Sequence, residues 1–254
     1  MNRIVTMVLK NLGMVPGAWF KLCRYAKNPD KYPESERYAH IQYILRCAVK
    51  GGNVDLQVDG QENIPAEGGF MLYANHQGMF DVLAIAATCD RPIGAVLKQE
   101  LYDIPFIHQI ALCTKSFPMN REDVRQSLTV IQHVTQEVKD GRGYLIFPEG
   151  TRTKTGKLGM IKSGAFVIAA AAGADMLPVR IIYGSKDGRM HLFCKIRIVF
   201  GTPIPAEELQ IKDQSHKMAE LRRMKNRLRD ELEQLLADNA FAAPAVEAAP
   251  EQPQ

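Results

Sequence analysis

The stretch that decides the fold is GFMLYANHQGMFD, which runs from Gly69 to Asp81. Its first half is a short apolar run of the kind that forms a buried strand, and it ends at the asparagine before His76. A helical pattern follows the polar loop, from Asp81 to Thr88. A strand, a loop and a helix in this order are the unit of an α/β domain, which holds its ligands at the strand ends.

The same alternation continues on both sides of this stretch. Strand-like segments are VDLQVDG (54–60), PIGAVLK (92–98), GYLIFPEG (143–150), MLPVRIIYG (176–184) and MHLFCKIRIVFG (190–201), and helical patterns cover 35–49, 104–111, 121–139, 163–172 and 215–238. Strands that alternate with helices pack them on the faces of one sheet. We therefore predict an α/β fold, a single domain with a mostly buried mixed sheet flanked by helices.

Composition sets the broad class of the protein. At 254 residues and 46% hydrophobic content, the chain can bury one sizeable core without disulfides. Its five cysteines are odd in number and lack a C-x-x-C pair, which favours a reducing compartment and excludes a recognisable zinc site. No window has the ~20 uninterrupted apolar residues of a spanning helix. The basic residues lack interleaved aromatics, so we expect no nucleic-acid partner.

The two ends of the chain differ from the middle. Residues 1–52 are predicted to form membrane-interface helices, because Arg3, Lys10, Lys21, Arg24 and Lys27 share one side of a helical wheel opposite a broad apolar face. The alternative is that the apolar face packs on the core. Pro16, with Gly13 and Gly17, is expected to kink this segment. Residues 53–238 are predicted to form the main α/β domain, and the Ala-, Pro- and Glu-rich residues 239–254 are expected to be a disordered tail. The basic last helix is interpreted as a solvated face.

His76 and Asp81 form the first chemical motif. Five residues along a continuous helix point about 140° apart, so the two side chains meet only if His76 precedes the helix and Asp81 lies in its opening turns. Gly78 is expected to supply the backbone freedom for that turn. His76 is the only one of six histidines with an acid at this offset. Asp81 can then fix the imidazole tautomer, and the other nitrogen can take a proton from a hydroxyl.

Two further loops carry anion-binding side chains. FPEGTR (147–152) follows a strand, and its Gly150 permits a tight turn before Thr151 and Arg152, a pattern that suits a phosphate monoester or carboxylate. The alternative is a structural turn in which Glu149 pairs with Arg152. FPMNRED (117–123) places Arg121 at a predicted helix start, where a cation favours a nearby anion. Charge balance with neighbouring acids explains Arg121 equally well.

The ordered set NHQGMFD, PMNRED, FPEGTR, IKSGA and LPVRI resembles the 1-acylglycerol-3-phosphate acyltransferase family over about residues 57–203. The resemblance implies the glycerolipid acyltransferase fold, in which His76 and Asp81 are catalytic. It also implies a phosphate-binding set and a supporting set. The phosphate-binding residues are Arg121, Glu149, Gly150, Thr151 and Arg152, and the supporting residues are Asn75, Gly78, Lys98, Lys162 and Pro178.

The implied reaction is acyl transfer from acyl-CoA or acyl-carrier protein to the sn-2 hydroxyl of 1-acyl-sn-glycerol-3-phosphate. The acyl donor is a cosubstrate, and neither a metal nor a bound cofactor is expected. The expected partners are a lysophospholipid and a membrane surface with anionic lipids, at the cytoplasmic face and without a spanning helix. The alternatives are another lysolipid or glycerol-phosphate acceptor, hydrolysis by the same pair, and a non-catalytic lipid-binding protein.

Overall fold

A mixed sheet forms the centre of the molecule. The computed structural model of the chain describes residues 3–120, 122–153, 157–184, 194–209 and 217–241. Within these ranges seven strands form one sheet in the order β1-β7-β6-β2-β5-β3-β4. They are β1 (Val54–Asp59), β2 (Phe70–Ala74), β3 (Ile93–Lys98), β4 (Phe117–Met119), β5 (Gly143–Ile146), β6 (Asp175–Tyr183) and β7 (Cys194–Phe200). Only β6 and β7 pair antiparallel, so β1 and β7 run opposite to the other five. The predicted α/β fold with a mixed sheet is confirmed.

Helices cover both faces of this sheet. They are α1 (Arg3–Lys10), α2 (Val15–Lys27), α3 (Glu34–Gly51), α4 (Phe80–Thr88), α5 (Gln99–Tyr102), α6 (Pro105–Thr114), α7 (Val124–Lys139), α8 (Val167–Ala172) and α9 (Lys217–Asn239). Strand β2 shows how the core divides, because its alternate residues point to opposite faces. Phe70 and Leu72 pack with α3 and α4, whereas Met71 and Tyr73 pack with α7, α8 and α9.

The largest departures from the predicted elements lie between β3 and α7. The sequence pattern missed β4, a three-residue strand at the edge of the sheet. This strand contains Pro118, which has no backbone N–H to donate. An edge strand tolerates such a residue because one of its sides has no partner strand. The prediction that a helix begins at Arg121 is wrong. Helix α7 begins at Val124, because the Asp123 side chain accepts a hydrogen bond from the backbone N–H of Gln126 and caps the helix. Arg121 itself lies outside the described residues.

The N-terminal helices pack on the domain and also expose apolar side chains. The break between α1 and α2 falls at residues 11–14, before Pro16. The segment is interrupted as predicted, but around Gly13, whereas Pro16 lies in the first turn of α2, where its missing N–H costs no helix bond. Leu22 and Tyr25 are buried against α3 and α6. Large side chains that remain exposed are Val8, Leu9, Leu12, Val15, Trp19 and Phe20.

Helix α3 is bonded to the far end of α4. The Tyr38 hydroxyl donates to the Ala86 carbonyl at 3.2 Å, the Gln42 amide donates to the Cys89 carbonyl at 2.9 Å, and the Arg46 guanidinium donates to the Ala87 carbonyl at 3.2 Å. Helix C-termini leave such carbonyls without intrahelical partners. Side chains of α3 therefore cap α4 at the end opposite Asp81.

The C-terminal helix closes the second face of the sheet. Its Leu221, Leu228 and Leu232 are buried there. Its basic residues form ion pairs along the outer surface, such as Arg223 with Glu220 and Arg227 with Glu231, as expected for a solvated face. The centroid of the Phe241 ring lies 4.9 Å from Cζ of Arg197, so residue 241, within the predicted tail, packs on β7. Residues 242–254 of that tail lie outside the described residues. No helix in the described ranges combines the length and apolarity needed to cross a membrane.

Candidate active site

The candidate site lies where the parallel strands end. Strand β2 is hydrogen-bonded to β5 on one side and to β6 on the other, and all three run in the same direction. The loop that follows β2 carries His76, the loop that follows β5 carries Glu149, and β6 ends at Tyr183. The carboxyl ends of parallel strands form the crevice that binds ligands in open α/β sheets.

His76 and Asp81 are in direct contact. His76 lies in the loop before α4 and Asp81 is the second residue of that helix, the arrangement that the spacing argument requires. The His76 Nδ1 atom is 2.8 Å from Asp81 Oδ2. The His76 side chain is 19% exposed and that of Asp81 is fully buried. In the described part of the chain no residue bonds His76 Nε2, so this nitrogen can accept a proton from a ligand.

The Asp81 carboxylate receives four hydrogen bonds. Besides the imidazole, Oδ2 accepts the backbone N–H groups of Gln77 at 2.6 Å and Gly78 at 2.8 Å, and Oδ1 accepts the Tyr183 hydroxyl at 2.5 Å. A buried carboxylate is costly unless such donors replace its water. The surroundings of Asp81 therefore hold its carboxyl group in one orientation.

Glu149 fixes the backbone of His76. Its Oε1 accepts the His76 N–H at 2.8 Å, and its Oε2 accepts the Gly159 N–H at 2.7 Å. The His76 carbonyl in turn accepts the Thr153 N–H at 2.8 Å and the Thr153 hydroxyl at 3.2 Å. The alternative turn, in which Glu149 pairs with Arg152, is not formed. Glu149 is thus buried, with both of its carboxyl oxygens bonded to backbone N–H groups of the protein.

The last two residues of the FPEGTR loop, Thr151 and Arg152, face solvent. Gly150 has a φ of +70°, which a side chain would strain, and a Cβ atom there would lie 3.0 Å from Lys162 Nζ. The Lys162 ammonium is thus adjacent to the turn, and the side chains of Lys162, Thr151 and Arg152 are all exposed. Hydroxyl, guanidinium and ammonium groups together form a surface suited to an anionic oxygen ligand.

The other predicted supporting residues have diverse positions. Asn75 is buried and bonds β6 through both its amide nitrogen and its amide oxygen, to Ile181. Lys98 lies at the end of β3, exposed and paired with Glu100 at 2.5 Å. Pro178 is buried in β6, and its carbonyl accepts the Gly201 N–H. The structure does not bring Lys98 or Pro178 into contact with His76.

Gly78 does not act through backbone freedom. Its φ is not among the positive values of the described residues, so other residue types can adopt its conformation. Its N–H donates to Asp81, and the Gly150 N–H donates to the Phe147 carbonyl at 3.0 Å. Both amides are therefore engaged within the protein and are not open donors for an oxyanion.

Two residues of β6 were missed by sequence reasoning. Tyr183 binds Asp81, and Arg180 is the largest fully buried side chain. Burial lowers the pKa of the Arg180 guanidinium, whereas the nearby carboxylates of Glu149 and Glu233 act in the opposite direction. The signal for Arg180 was present, because a charge in the apolar strand MLPVRIIYG must have buried counter-charges. Tyr183 gave no signal, because its role depends on β6 lying beside β2.

The site defines a class of protein. A buried carboxylate that orients an imidazole, beside an exposed cationic loop, is built to activate a hydroxyl on an anionic molecule. A family model described as Acyltransferase matches residues 55–182, half of the chain, and the chain belongs to this family. The matched segment includes both His76 and the FPEGTR loop.

Individual proteins that resemble this chain are also named acyltransferases. The chain is 30% identical over 60% of its length to a 1-acyl-sn-glycerol-3-phosphate acyltransferase of Chlamydomonas reinhardtii, of which it spans 46%. It is 26% identical over 74% of its length to a Bacillus subtilis enzyme of the same name, of which it spans 92%. A crystal structure of the 1-acyl-sn-glycerophosphate acyltransferase PlsC from Thermotoga maritima has a similar fold, with a TM-score of 0.62, 22% identity and coverage of 90% of this chain and 92% of that one.

Proposed function

We propose that this chain transfers an acyl group from acyl-CoA or acyl-carrier protein to the free sn-2 hydroxyl of 1-acyl-sn-glycerol-3-phosphate, which gives phosphatidic acid for phospholipid synthesis. The observation that carries this proposal is the His76 ring, with Nδ1 bonded to buried Asp81 and Nε2 open to a ligand. The acceptor is taken from the names of the relatives from Chlamydomonas reinhardtii and Bacillus subtilis.

In the proposed reaction neutral His76 is the general base. Nε2 accepts the proton of the acceptor hydroxyl as the hydroxyl oxygen attacks the thioester carbonyl carbon. Asp81 keeps the other ring proton on Nδ1 and stabilises the imidazolium. The tetrahedral intermediate then collapses, the carbon–sulfur bond breaks, and the departing thiolate takes the proton from His76. The acyl group changes oxidation state at no step, so the proposed reaction needs no redox cofactor.

The acceptor phosphate is proposed to bind at the FPEGTR loop. Arg152 offers a planar fork of donors and Lys162 a compact positive charge, and both are exposed beside the loop that holds His76. Arg121 is proposed as a further phosphate ligand on the family resemblance alone. In this scheme Glu149 holds the backbone N–H groups of His76 and Gly159 in place and does not contact the phosphate.

The N-terminal helices are proposed to hold the enzyme on the cytoplasmic face of a membrane. Trp19 and Phe20 are exposed apolar side chains of α2, and Phe20 is 74% exposed. Lys10, Lys21 and Lys27 are exposed along the same two helices. Aromatic and aliphatic groups flanked by lysines fit the interface of an anionic leaflet. This arrangement requires only peripheral binding.

One assay tests the function against its rivals. The purified full-length chain is given a labelled acyl thioester in mixed micelles with lysophosphatidate, lysophosphatidylcholine or glycerol 3-phosphate, and a His76→Ala variant serves as control. We expect labelled phosphatidate from the wild-type chain only. Labelled free fatty acid as the main product would indicate a hydrolase, and a product from another acceptor would reassign the substrate. No product with any acceptor, from protein that still binds the mixed micelles, would indicate a lipid-binding protein.

A further inference from the structure

We infer that Tyr183 is a positioning residue that sets how strongly the His76–Asp81 pair holds the proton that His76 accepts from the substrate. The inference rests on the proposed function, since it concerns the same pair, but its geometry is independent of the substrate. Tyr183 is the last residue of β6, and its side chain points to the same side of the sheet as α4. Its hydroxyl donates to Asp81 Oδ1 at 2.5 Å.

The four hydrogen bonds divide unequally between the two carboxylate oxygens. Oδ2 binds the imidazole and the two backbone amides, whereas the bond to Oδ1 comes from the Tyr183 hydroxyl. The backbone amides of Gln77 and Gly78 belong to the same loop as His76, and they bind the same carboxylate oxygen as the imidazole. Tyr183 comes from strand β6, and its hydrogen bond to Oδ1 fixes the rotation of the Asp81 carboxylate about the Cβ–Cγ bond.

The bond also has an electrostatic effect. Asp81 is fully buried, and a short O–H···O⁻ bond in such surroundings takes up part of the negative charge of the carboxylate. The part that remains stabilises the imidazolium that forms on His76. With the hydroxyl present, the imidazolium is held less tightly, and His76 returns the proton to the leaving thiolate more readily.

The position of the hydroxyl is itself fixed by the sheet. Two residues before Tyr183, Ile181 donates its N–H to Asn75 Oδ1 at 2.7 Å and accepts from Asn75 Nδ2 at 3.1 Å. Asn75 directly precedes His76, so this pair of bonds holds the ends of β2 and β6 at one separation. The loop then passes close to the hydroxyl, because a Cβ atom on Gly78 would lie 3.4 Å from Tyr183 Oη.

The test compares Tyr183→Phe with Tyr144→Phe in the full-length protein. Both variants keep a buried ring and lose one hydroxyl, but the Tyr144 hydroxyl donates to the Lys115 carbonyl, away from the pair. Two measurements are made on each protein: the pH titration of the His76 ring nitrogens by ¹⁵N NMR, and kcat and KM for acyl transfer across pH. The other ionisable groups next to the pair are Glu149, which binds the His76 amide, and Arg180, which lies near Glu149, and both are unchanged.

For Tyr183→Phe we expect the midpoint of the His76 titration and the acidic limb of the kcat profile to move together to higher pH. We expect kcat at neutral pH to fall roughly tenfold, the effect of losing one hydrogen bond to a charged group, with KM for the acceptor nearly unchanged. Tyr144→Phe should leave the titration and the profile where they are. A Tyr183→Phe titration that coincides with the wild type would overturn the inference.

The two readouts separate this inference from the proposed function. If the wild-type chain forms no acylated product, the function is wrong, yet the NMR titration still shows whether Tyr183 tunes His76. If the chain is active but Tyr183→Phe lowers kcat at every pH equally, without moving the titration, Tyr183 has only a structural role. In that outcome the inference fails and the function stands.

Discussion

The two halves of the candidate site are built differently. His76, Asp81 and Glu149 are buried or nearly so, and their polar atoms bond to the protein except for one imidazole nitrogen. Thr151, Arg152 and Lys162 are exposed side chains on the adjacent loop. We therefore expect the group for proton transfer to be oriented before a substrate arrives, and the cations to gain their partner from the substrate. Substitutions in the first half should therefore change turnover, and those in the second half should change acceptor binding.

The largest effect is expected for His76→Ala. Loss of a general base typically costs 10²- to 10⁴-fold, so kcat should fall by about a thousandfold, with acceptor binding largely kept because the cations remain. Steady-state kinetics together with acceptor binding by calorimetry measure both terms. His133→Ala is a matched control, since that exposed histidine lies on α7. If His76→Ala were as active as the wild type, His76 would not be the general base, and the division of the site into two halves would be wrong.

Glu149→Gln tests whether the buried carboxylate belongs with the catalytic half. A glutamine amide would place an N–H₂ group against a backbone N–H, so we expect a loss of about 1–3 kcal/mol in the free energy of unfolding and a fall in kcat of roughly ten- to a hundredfold. Chemical denaturation and kinetics measure the two effects. Glu137→Gln, on the partly exposed face of α7, is the control. A raised KM with unchanged kcat and stability would instead move Glu149 to the phosphate-binding half.

Arg152→Ala addresses the exposed half. Removing a charge-assisted contact to phosphate costs about 1.5–3 kcal/mol, so KM for lysophosphatidate should rise roughly tenfold or more while kcat changes little. Lys157→Ala removes an exposed charge from the same segment and should have a smaller effect. An unchanged KM for Arg152→Ala, or a loss confined to kcat, would contradict the assignment of the phosphate to this loop.

The smallest effect on the chemistry is expected for Phe20→Ser. Phe20 lies on α2, which packs on α3 and α6, outside the loops that carry His76 and Arg152, so turnover of a short-chain, water-soluble acceptor should be unchanged. Burial of one phenylalanine contributes about 1.5–3 kcal/mol, so binding to anionic vesicles should weaken about tenfold or more. Leu128→Ser, which changes an exposed leucine of α7 on the other face of the sheet, is the control in vesicle sedimentation. Equal loss of binding in both variants would argue against α2 as the membrane surface.

The parts that could be predicted from sequence are those with local causes. Strand β2, helix α4 and the contact between His76 and Asp81 follow from a buried run, a helical pattern and a spacing of five. The start of α7 was mispredicted because the charge of Arg121 was weighed above the capping preference of Asp123. The contacts of Glu149 with His76, and of Tyr183 with Asp81, depend on which strands are neighbours. No local pattern encodes that, because residues 73 or 102 positions apart are brought together only by the sheet.

Helix α4 joins the catalytic pair to the N-terminal layer. Its first turn carries Asp81, its last carbonyls are bonded to α3, and α3 packs against α2. A nine-residue helix is about 13 Å long. If α2 rests on a bilayer as proposed, the packing of α2, α3 and α4 sets the height of the reacting hydroxyl above the lipid headgroups. We expect the enzyme then to favour lysolipids whose hydroxyl lies at that depth.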